Sequence, residues 1–109
     1  YNAPKTEMTT LVSCGVSYNS DLKKVERVAL AVAKKVQKSV DGTIKEYEPS
    51  LRFREFGDSA ITFTVSLRVK NRESRSRVVH EFIKALKVRF DKEKIEIPFP
   101  QMDIHMKKG

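Results

Sequence analysis

The sequence predicts an α+β fold of the ferredoxin-like type, with the element order βαββαβ and both helices on one face of an antiparallel sheet. Two observations support this class. In several short segments apolar and polar residues alternate, which is the period of a half-buried strand. In two longer segments apolar residues recur every three or four positions, which is the period of an amphipathic helix. Along the chain these segments follow the order strand, helix, strand, strand, helix, strand.

The length of 109 residues fits one domain with its own core and is too short for two ordinary domains. Residues 1–10 are polar and lack periodicity, so we expect an arm that leads into the domain. The domain is expected to cover residues 11–107, followed by a short tail at 108–109. Because the chain starts at Tyr1 rather than Met, we expect it to be a piece of a longer protein.

The first half of the chain is predicted to form a strand and a helix. Residues 11–18 alternate, and their apolar members are predicted to face the core: Val12, Cys14, Val16 and Tyr18. Asn19-Ser20-Asp21 offers side-chain oxygens that can cap a helix start. The helix of about five turns that follows has an apolar stripe of Leu22, Val25, Ala29, Val32, Val36 and Val40. Asp41-Gly42 is typical of a helix end.

The second half is predicted to form a hairpin, a helix and a last strand. Residues 51–56 and 60–70 are extended runs joined by the turn 57–59, which is typical of a hairpin. A second amphipathic helix is expected from about Ser74 to Lys92, with an apolar stripe at Val79, Phe82, Ile83, Leu86 and Phe90. The last strand is expected to begin near Ile95 and to be interrupted by Pro98-Phe99-Pro100, because proline donates no ladder hydrogen bond.

The composition excludes several classes of protein. The single cysteine, Cys14, cannot form an internal disulfide, and one cysteine with two histidines does not provide a structural zinc site. The most apolar short run, 28–33, is too short to cross a bilayer, and no signal-peptide pattern opens the chain. The net charge of +8 points to nucleic acid, an anionic membrane surface or solubility. The two halves carry +3 and +5, so we expect the charge to be spread.

Residues that could carry chemistry do not form a catalytic or metal-binding pattern. Cys14 alternates with core positions, so a small buried side chain is expected rather than a nucleophile. His80-Glu81 resembles half of a metalloprotease motif without its second histidine, and His105 has no second ligand nearby. Phosphate-binding glycine loops, dinucleotide fingerprints and hydrolase elbows are absent from the sequence. We therefore predict no enzyme, no catalytic residue, no metal and no cofactor.

The alternative function is a basic ferredoxin-like domain that binds nucleic acid. Such domains stack bases on aromatic residues of the two central strands. The predicted open face instead carries small residues, namely Ser13, Gly15, Ser17, Thr62, Thr64 and Ser66. A dense basic run could bind phosphate or an acidic partner, or could be a solvated corner: Arg68, Lys70, Arg72, Arg75 and Arg77. Nucleic acid is therefore not the partner we expect.

Three strings of residues resemble the cytoplasmic C-terminal region of the MscS-like (small-conductance) mechanosensitive ion channel family. They are VSYNSD at 16–21, FGDSAI at 56–61 and IEIPFPQ at 95–101, in this order and spacing. The resemblance implies a non-catalytic domain that builds a hollow cage, or vestibule, with copies of itself, usually seven. Ions and small solutes would pass through this cage to a tension-gated pore. It also implies an inner-membrane protein whose membrane part lies upstream and whose cage domain is cytoplasmic.

The end of the sequence is a candidate for contacts between subunits. Met102, Ile104 and Met106 alternate with polar residues after the proline break, so they form a short apolar face. A strand with unpaired edges can pair with other copies of the chain, and such contacts close into a ring by rotation. We predict that these three residues contact neighbouring subunits. The alternative is a plain fourth strand that ends in a frayed tail.

Overall fold

The structure, a computed structural model, describes residues 6–98 as three strands and two helices. Their order along the chain is β1 (Met8–Val16), α1 (Leu22–Ser39), β2 (Ser50–Phe56), β3 (Ile61–Val69) and α2 (Arg72–Lys92). The strands form one antiparallel sheet in the order β1–β3–β2, and both helices pack against it. The α+β class predicted from the sequence is therefore confirmed.

The central strand β3 organises the core because every second side chain points to the helices. Its buried members are Ile61, Phe63, Val65, Leu67 and Val69. Phe63 meets the ring of Phe53 from β2 edge to face and that of Phe90 from α2 at a tilt, with centroids 5.9 and 6.4 Å away. Burial of each such side chain stabilises the fold by about 1.5–3 kcal/mol.

Both helices begin at a side-chain cap. The Asp21 carboxylate accepts hydrogen bonds from the backbone N–H groups of Lys23 and Lys24, so the predicted start of α1 is confirmed. The start predicted for α2 was two residues late. Asn71 is the cap there, since its side-chain oxygen accepts from the Ser74 N–H at 2.9 Å. Ser74 therefore lies in the first turn rather than at the cap.

The buried stripe of α2 differs from the predicted one at two positions, since Val78 is fully buried where Val79, which is only partly buried, was predicted, and Ile83 lies outside it. The stripe consists of Val78, Phe82, Leu86 and Phe90, four residues apart. Ile83 is 51% exposed, so the prediction that it lies in the core was wrong. It lies about 100° around the helix from Phe82, because a helical turn holds 3.6 residues.

The first strand begins three residues earlier than predicted. Met8 pairs with Val69, and Thr10 pairs with Leu67 and is buried, so residues 8–10 belong to the sheet rather than to an arm. At the other end of the strand, Tyr18 was predicted to face the core but is 46% exposed. It lies beyond the last residue of β1, where the helices no longer cover the sheet.

Only the beginning of the predicted fourth strand falls on described residues. Ile95 is buried, and the Ser17 N–H donates a 3.0 Å hydrogen bond to the Glu96 carbonyl, which brings this segment beside the end of β1. Residues 95–98 are not a strand. The rest of the prediction, with Met102, Ile104, His105 and Met106, lies outside the described residues.

The end of α1 does not use the glycine as its cap. The helix stops at Ser39, Val40 is extended, and the hydroxyl of Thr43 donates to the carbonyls of Gln37 and Val40. Gly42 is needed for a different reason. Its φ of +100° favours glycine, and a Cβ there would lie 2.7 Å from the Cβ of Ser74.

Gln37 joins the end of α1 to the sheet. It is fully buried, and its Nε2 donates to the carbonyls of Ile44 and Arg68 at 2.6 and 2.8 Å. Its Oε1 accepts from the Arg68 N–H at 3.2 Å. One side chain thus satisfies three backbone groups near the end of β3.

We expect Gln37→Met to lower the free energy of unfolding by about 1–3 kcal/mol, since it leaves the Arg68 N–H without an acceptor in the core. The carbonyls of Arg68 and Ile44 each keep a backbone donor, the N–H groups of Ile44 and Tyr47. The measurement is urea unfolding followed by circular dichroism. Lys38→Met, at the exposed neighbouring position, is the control and should change little. Equal stability of the two variants would contradict the role given to Gln37.

Candidate interaction surfaces

Residues 6–98 do not bring chemically reactive side chains together. No group of three or more His, Cys, Asp or Glu residues within this range could hold a metal ion. His80 is exposed, as predicted, and Cys14 packs against the core. Burial raises the pKa of the Cys14 thiol, which disfavours the reactive thiolate. The surfaces that remain are therefore candidates for contact rather than for catalysis.

Two stacked aromatic rings lie exposed at one end of the sheet, and we call Tyr18 and Phe56 the aromatic pair. Their ring centroids are 6.3 Å apart with an interplanar angle of 6°. Phe56 is 80% exposed, and the Tyr18 hydroxyl donates to the Gly57 carbonyl. The stacking and the hydrogen bond hold both rings in place, so the pair is a fixed apolar feature.

A β-bulge in β2 places Phe56 beside Tyr18. Phe53 pairs with Phe63 on the core side, and the register then shifts so that Glu55 pairs with Thr62 and Phe56 with Ile61. Without the extra residue, strict alternation would put Phe56 on the opposite face from Phe53. The bulge therefore places Phe56 on the helix side of the sheet, at a position that the helices do not cover.

The open face of the sheet is mainly polar. A shallow depression on it includes Leu11, Ser13, Arg54 and Thr64, with Leu11 63% exposed. Within β1 to β3, none of the open-face residues is aromatic. The platform for stacking bases that the nucleic-acid alternative requires is therefore missing from these strands.

Tyr47 is the one aromatic residue that reaches the open side among residues 6–98. It comes from the connection before β2, and its hydroxyl lies 2.9 Å from the Ser66 Oγ. Ser50 Oγ lies 2.7 Å from the same atom. This half-buried cluster joins the connection to β3, which favours a structural role.

Three members of the basic run from Arg68 to Arg77 hold neighbouring elements together. Arg68 pairs with Glu7 at 3.0 Å, and Arg77 with Asp41 at 3.3 Å. The Arg75 guanidinium donates to the Thr10 hydroxyl at 2.9 Å. These contacts favour the interpretation of the run as a structural corner over a phosphate site.

The positive charge is concentrated in the two helices. The helix layer, α1 and α2 together, contains 13 of the 22 basic residues and 4 of the 14 acidic ones, which gives +9. All other residues carry 9 basic and 10 acidic side chains, which gives −1. The expectation of a spread charge was therefore wrong, because it divided the chain by halves rather than by elements.

Within residues 6–98, neither helix is both long enough and apolar enough to span a membrane. α1 and α2 are long enough in residues, but both carry many charged side chains.

A comparison with family models identifies the family. Residues 11–97 match the family described as "Mechanosensitive ion channel MscS, C-terminal". The chain therefore belongs to the MscS family of mechanosensitive ion channels and represents its C-terminal region. This confirms the resemblance of the three strings, and it confirms the prediction of a non-enzymatic protein because the family is one of channels.

Curated relatives agree with this assignment. The chain is 31% identical over 94 residues to the small-conductance mechanosensitive channel of Helicobacter pylori, covering 86% of this chain and 33% of that protein. It is 29% identical over 100 residues to MscMJ of Methanocaldococcus jannaschii, covering 90% of this chain and 28% of the relative. The chain thus spans about a third of the length of the curated relatives it matches.

Solved structures share the fold. The crystal structure of Helicobacter pylori MscS in its closed state superposes with a TM-score of 0.68 at 27% identity, covering 95% of this chain and 40% of that one. Arabidopsis thaliana MSL1 A320V gives a TM-score of 0.67 at 8% identity, covering 87% of this chain and 36% of that one. The second likeness concerns the fold alone.

We expect Cys14 to react slowly with a thiol reagent in the folded protein. Its raised pKa keeps the thiol protonated at pH 8, where an unperturbed thiol is partly ionised. The rate of modification by DTNB at pH 8 should rise about tenfold or more when the protein is unfolded in urea. A free cysteine model peptide in the same urea concentration is the control. Equal rates for the folded and unfolded chain would contradict the burial of this thiol.

Proposed function

We propose that this chain is the cage domain of a mechanosensitive channel of the inner membrane, located on the cytoplasmic side. In this role it is non-catalytic, helps subunits assemble, and lets ions and small solutes reach a tension-gated pore. The observation that carries the proposal is the family match over residues 11–97, which covers nearly all of the described residues. The pore itself would belong to the larger part of the protein, since the chain spans about a third of its relatives.

The aromatic pair supports a role in assembly. Phe56 stays 80% exposed although its ring stacks on Tyr18, so most of this apolar surface remains open. Its ring is fixed by stacking on Tyr18, so binding to another subunit would cost little side-chain entropy. Rigid aromatic residues of this kind are frequent at the centres of protein interfaces.

The end of the chain supplies a second proposed contact. Met102, Ile104 and Met106 would meet neighbouring subunits beyond the parent sheet. Head-to-tail contacts of this kind generate a ring when the rotation closes. The number of subunits we propose, seven, comes from the family resemblance.

The channel function is tested by patch-clamp recording of the full-length protein in stretched membrane patches. We expect currents that open with tension, because the family consists of mechanosensitive channels. Patches from cells with the empty vector are the control. A correctly inserted, folded protein without any tension-gated current would contradict the proposed function.

Assembly is tested in the full-length, detergent-solubilised protein by light scattering. We expect Phe56→Ser to reduce the fraction of oligomer, since it removes an apolar contact worth about 1.5–3 kcal/mol per interface. Joint replacement of Met102, Ile104 and Met106 by serine should do the same.

Ile83→Ser is the matched control for assembly, because this side chain is also exposed and apolar but lies on α2, away from the aromatic pair. It should leave the oligomer unchanged. If the Phe56→Ser variant assembles as the wild type does, the aromatic pair is not part of the interface. If the triple variant assembles as the wild type does, Met102, Ile104 and Met106 do not contribute to the interface.

A further inference from the structure

A groove of about 480 Å³ runs between the outer sides of α1 and α2. Its apolar floor comes from both helices, with the buried Val32 and Val36 of α1 and the half-buried Ala85 of α2, and Ala31 also lines the groove. Val88 lies beside them and is 68% exposed. Because the lining includes the small side chains of Ala31 and Ala85, an apolar groove remains open between the two helices.

The groove belongs to a second stripe of α2, separate from the one that faces the core. The residues of this stripe recur every three or four positions, at 81, 84, 85, 88, 89 and 92. The core stripe, from Val78 to Phe90, is already buried against the sheet and α1. Val88 therefore does not pack into the core and remains an exposed apolar side chain without a partner among the described residues.

The rim of the groove is basic. Glu81 is the one acidic residue that lines it. The cationic residues that line it are four: Lys35, Lys84, Arg89 and Lys92. Glu81 is already within 3.8 Å of Lys84, and Arg89 pairs with Glu93 at 3.0 Å. The Arg89 guanidinium lowers the pKa of the Glu93 carboxyl. Within residues 6–98, Lys35 and Lys92 have no acidic partner within 4.0 Å.

We propose that this groove binds an acidic amphipathic helix of a partner protein. A third helix fits because ridges of side chains pack into the groove between two others, and small floor residues let it approach closely. The stripe from Glu81 to Lys92 is about 16 Å long, which accommodates about three turns of helix. The apolar floor would take leucine-type side chains, and the cationic rim would pair with carboxylates on both sides.

The occupant is not a helix of a second copy. Both described helices are basic, with net charges of +5 for α1 and +4 for α2, so they repel the rim. A small ligand fits less well, since small-molecule sites enclose most of the ligand surface and this groove is open along its side. The proposal goes beyond the channel role and does not depend on it.

The experiment uses the 109-residue chain and a labelled 18-residue synthetic peptide with leucines at i, i+3, i+4 and i+7 and glutamates on the flanks. Binding is followed by fluorescence anisotropy. We expect Val88→Ser to weaken the affinity about tenfold, because it removes the burial of one valine. Ile83→Ser, an exposed apolar position on α2 outside the groove, should leave it unchanged.

A second pair of variants tests the charge of the rim. Lys35→Gln should weaken binding and reduce its dependence on salt. Lys23→Gln on the same helix, outside the groove, should do neither. Circular dichroism verifies that all variants are folded.

Three outcomes would overturn the proposal. The first is no detectable binding at about 1 mM peptide, the concentration that corresponds to a binding free energy of about 4 kcal/mol. The second is equal binding of a scrambled peptide of the same composition, which would indicate attraction of any polyanion to the helix layer. The third is self-association of the chain that Val88→Ser abolishes, which would assign the groove to a second copy.

Discussion

The structure depends on one constraint: the sheet is covered on a single face. β3 sends Phe63, Val65 and Leu67 to that face and small polar residues to the other, so both helices must lie on the same side. The core is complete with only two layers, and each helix keeps one side in solvent. The open sheet face, the basic helix layer and the groove between the helices all follow from this arrangement.

Within this frame, polar contacts fix where the elements end. Gln37 satisfies backbone groups of Arg68 and Ile44, and Thr43 holds the last carbonyls of α1. Gln37 and Thr43 are fully buried, so their polar atoms depend on these bonds for partners. The apolar core determines which faces meet, while these few side chains determine how far α1 and β3 extend.

The periodicity of the sequence was sufficient to predict α1, the alternation of β3 and the α+β class, because burial on one face leaves a regular pattern. It was insufficient where the outcome depends on distant residues. Val78 and Ile83 are both apolar, and only packing against the sheet and α1 decides that Val78 is buried and Ile83 exposed. The aromatic pair needs a bulge in β2 and a tyrosine 38 positions away. The layered charge, by contrast, could have been found by counting within the predicted helices.

The concentration of positive charge in α1 and α2 makes the helix side of the domain strongly basic. If the basic helices of two copies came close together, they would repel one another. Dissolved salt weakens that repulsion over about 10 Å at 0.1 M, whereas it leaves the apolar contact of the aromatic pair intact. Ionic strength would thus shift the balance between separate and associated copies.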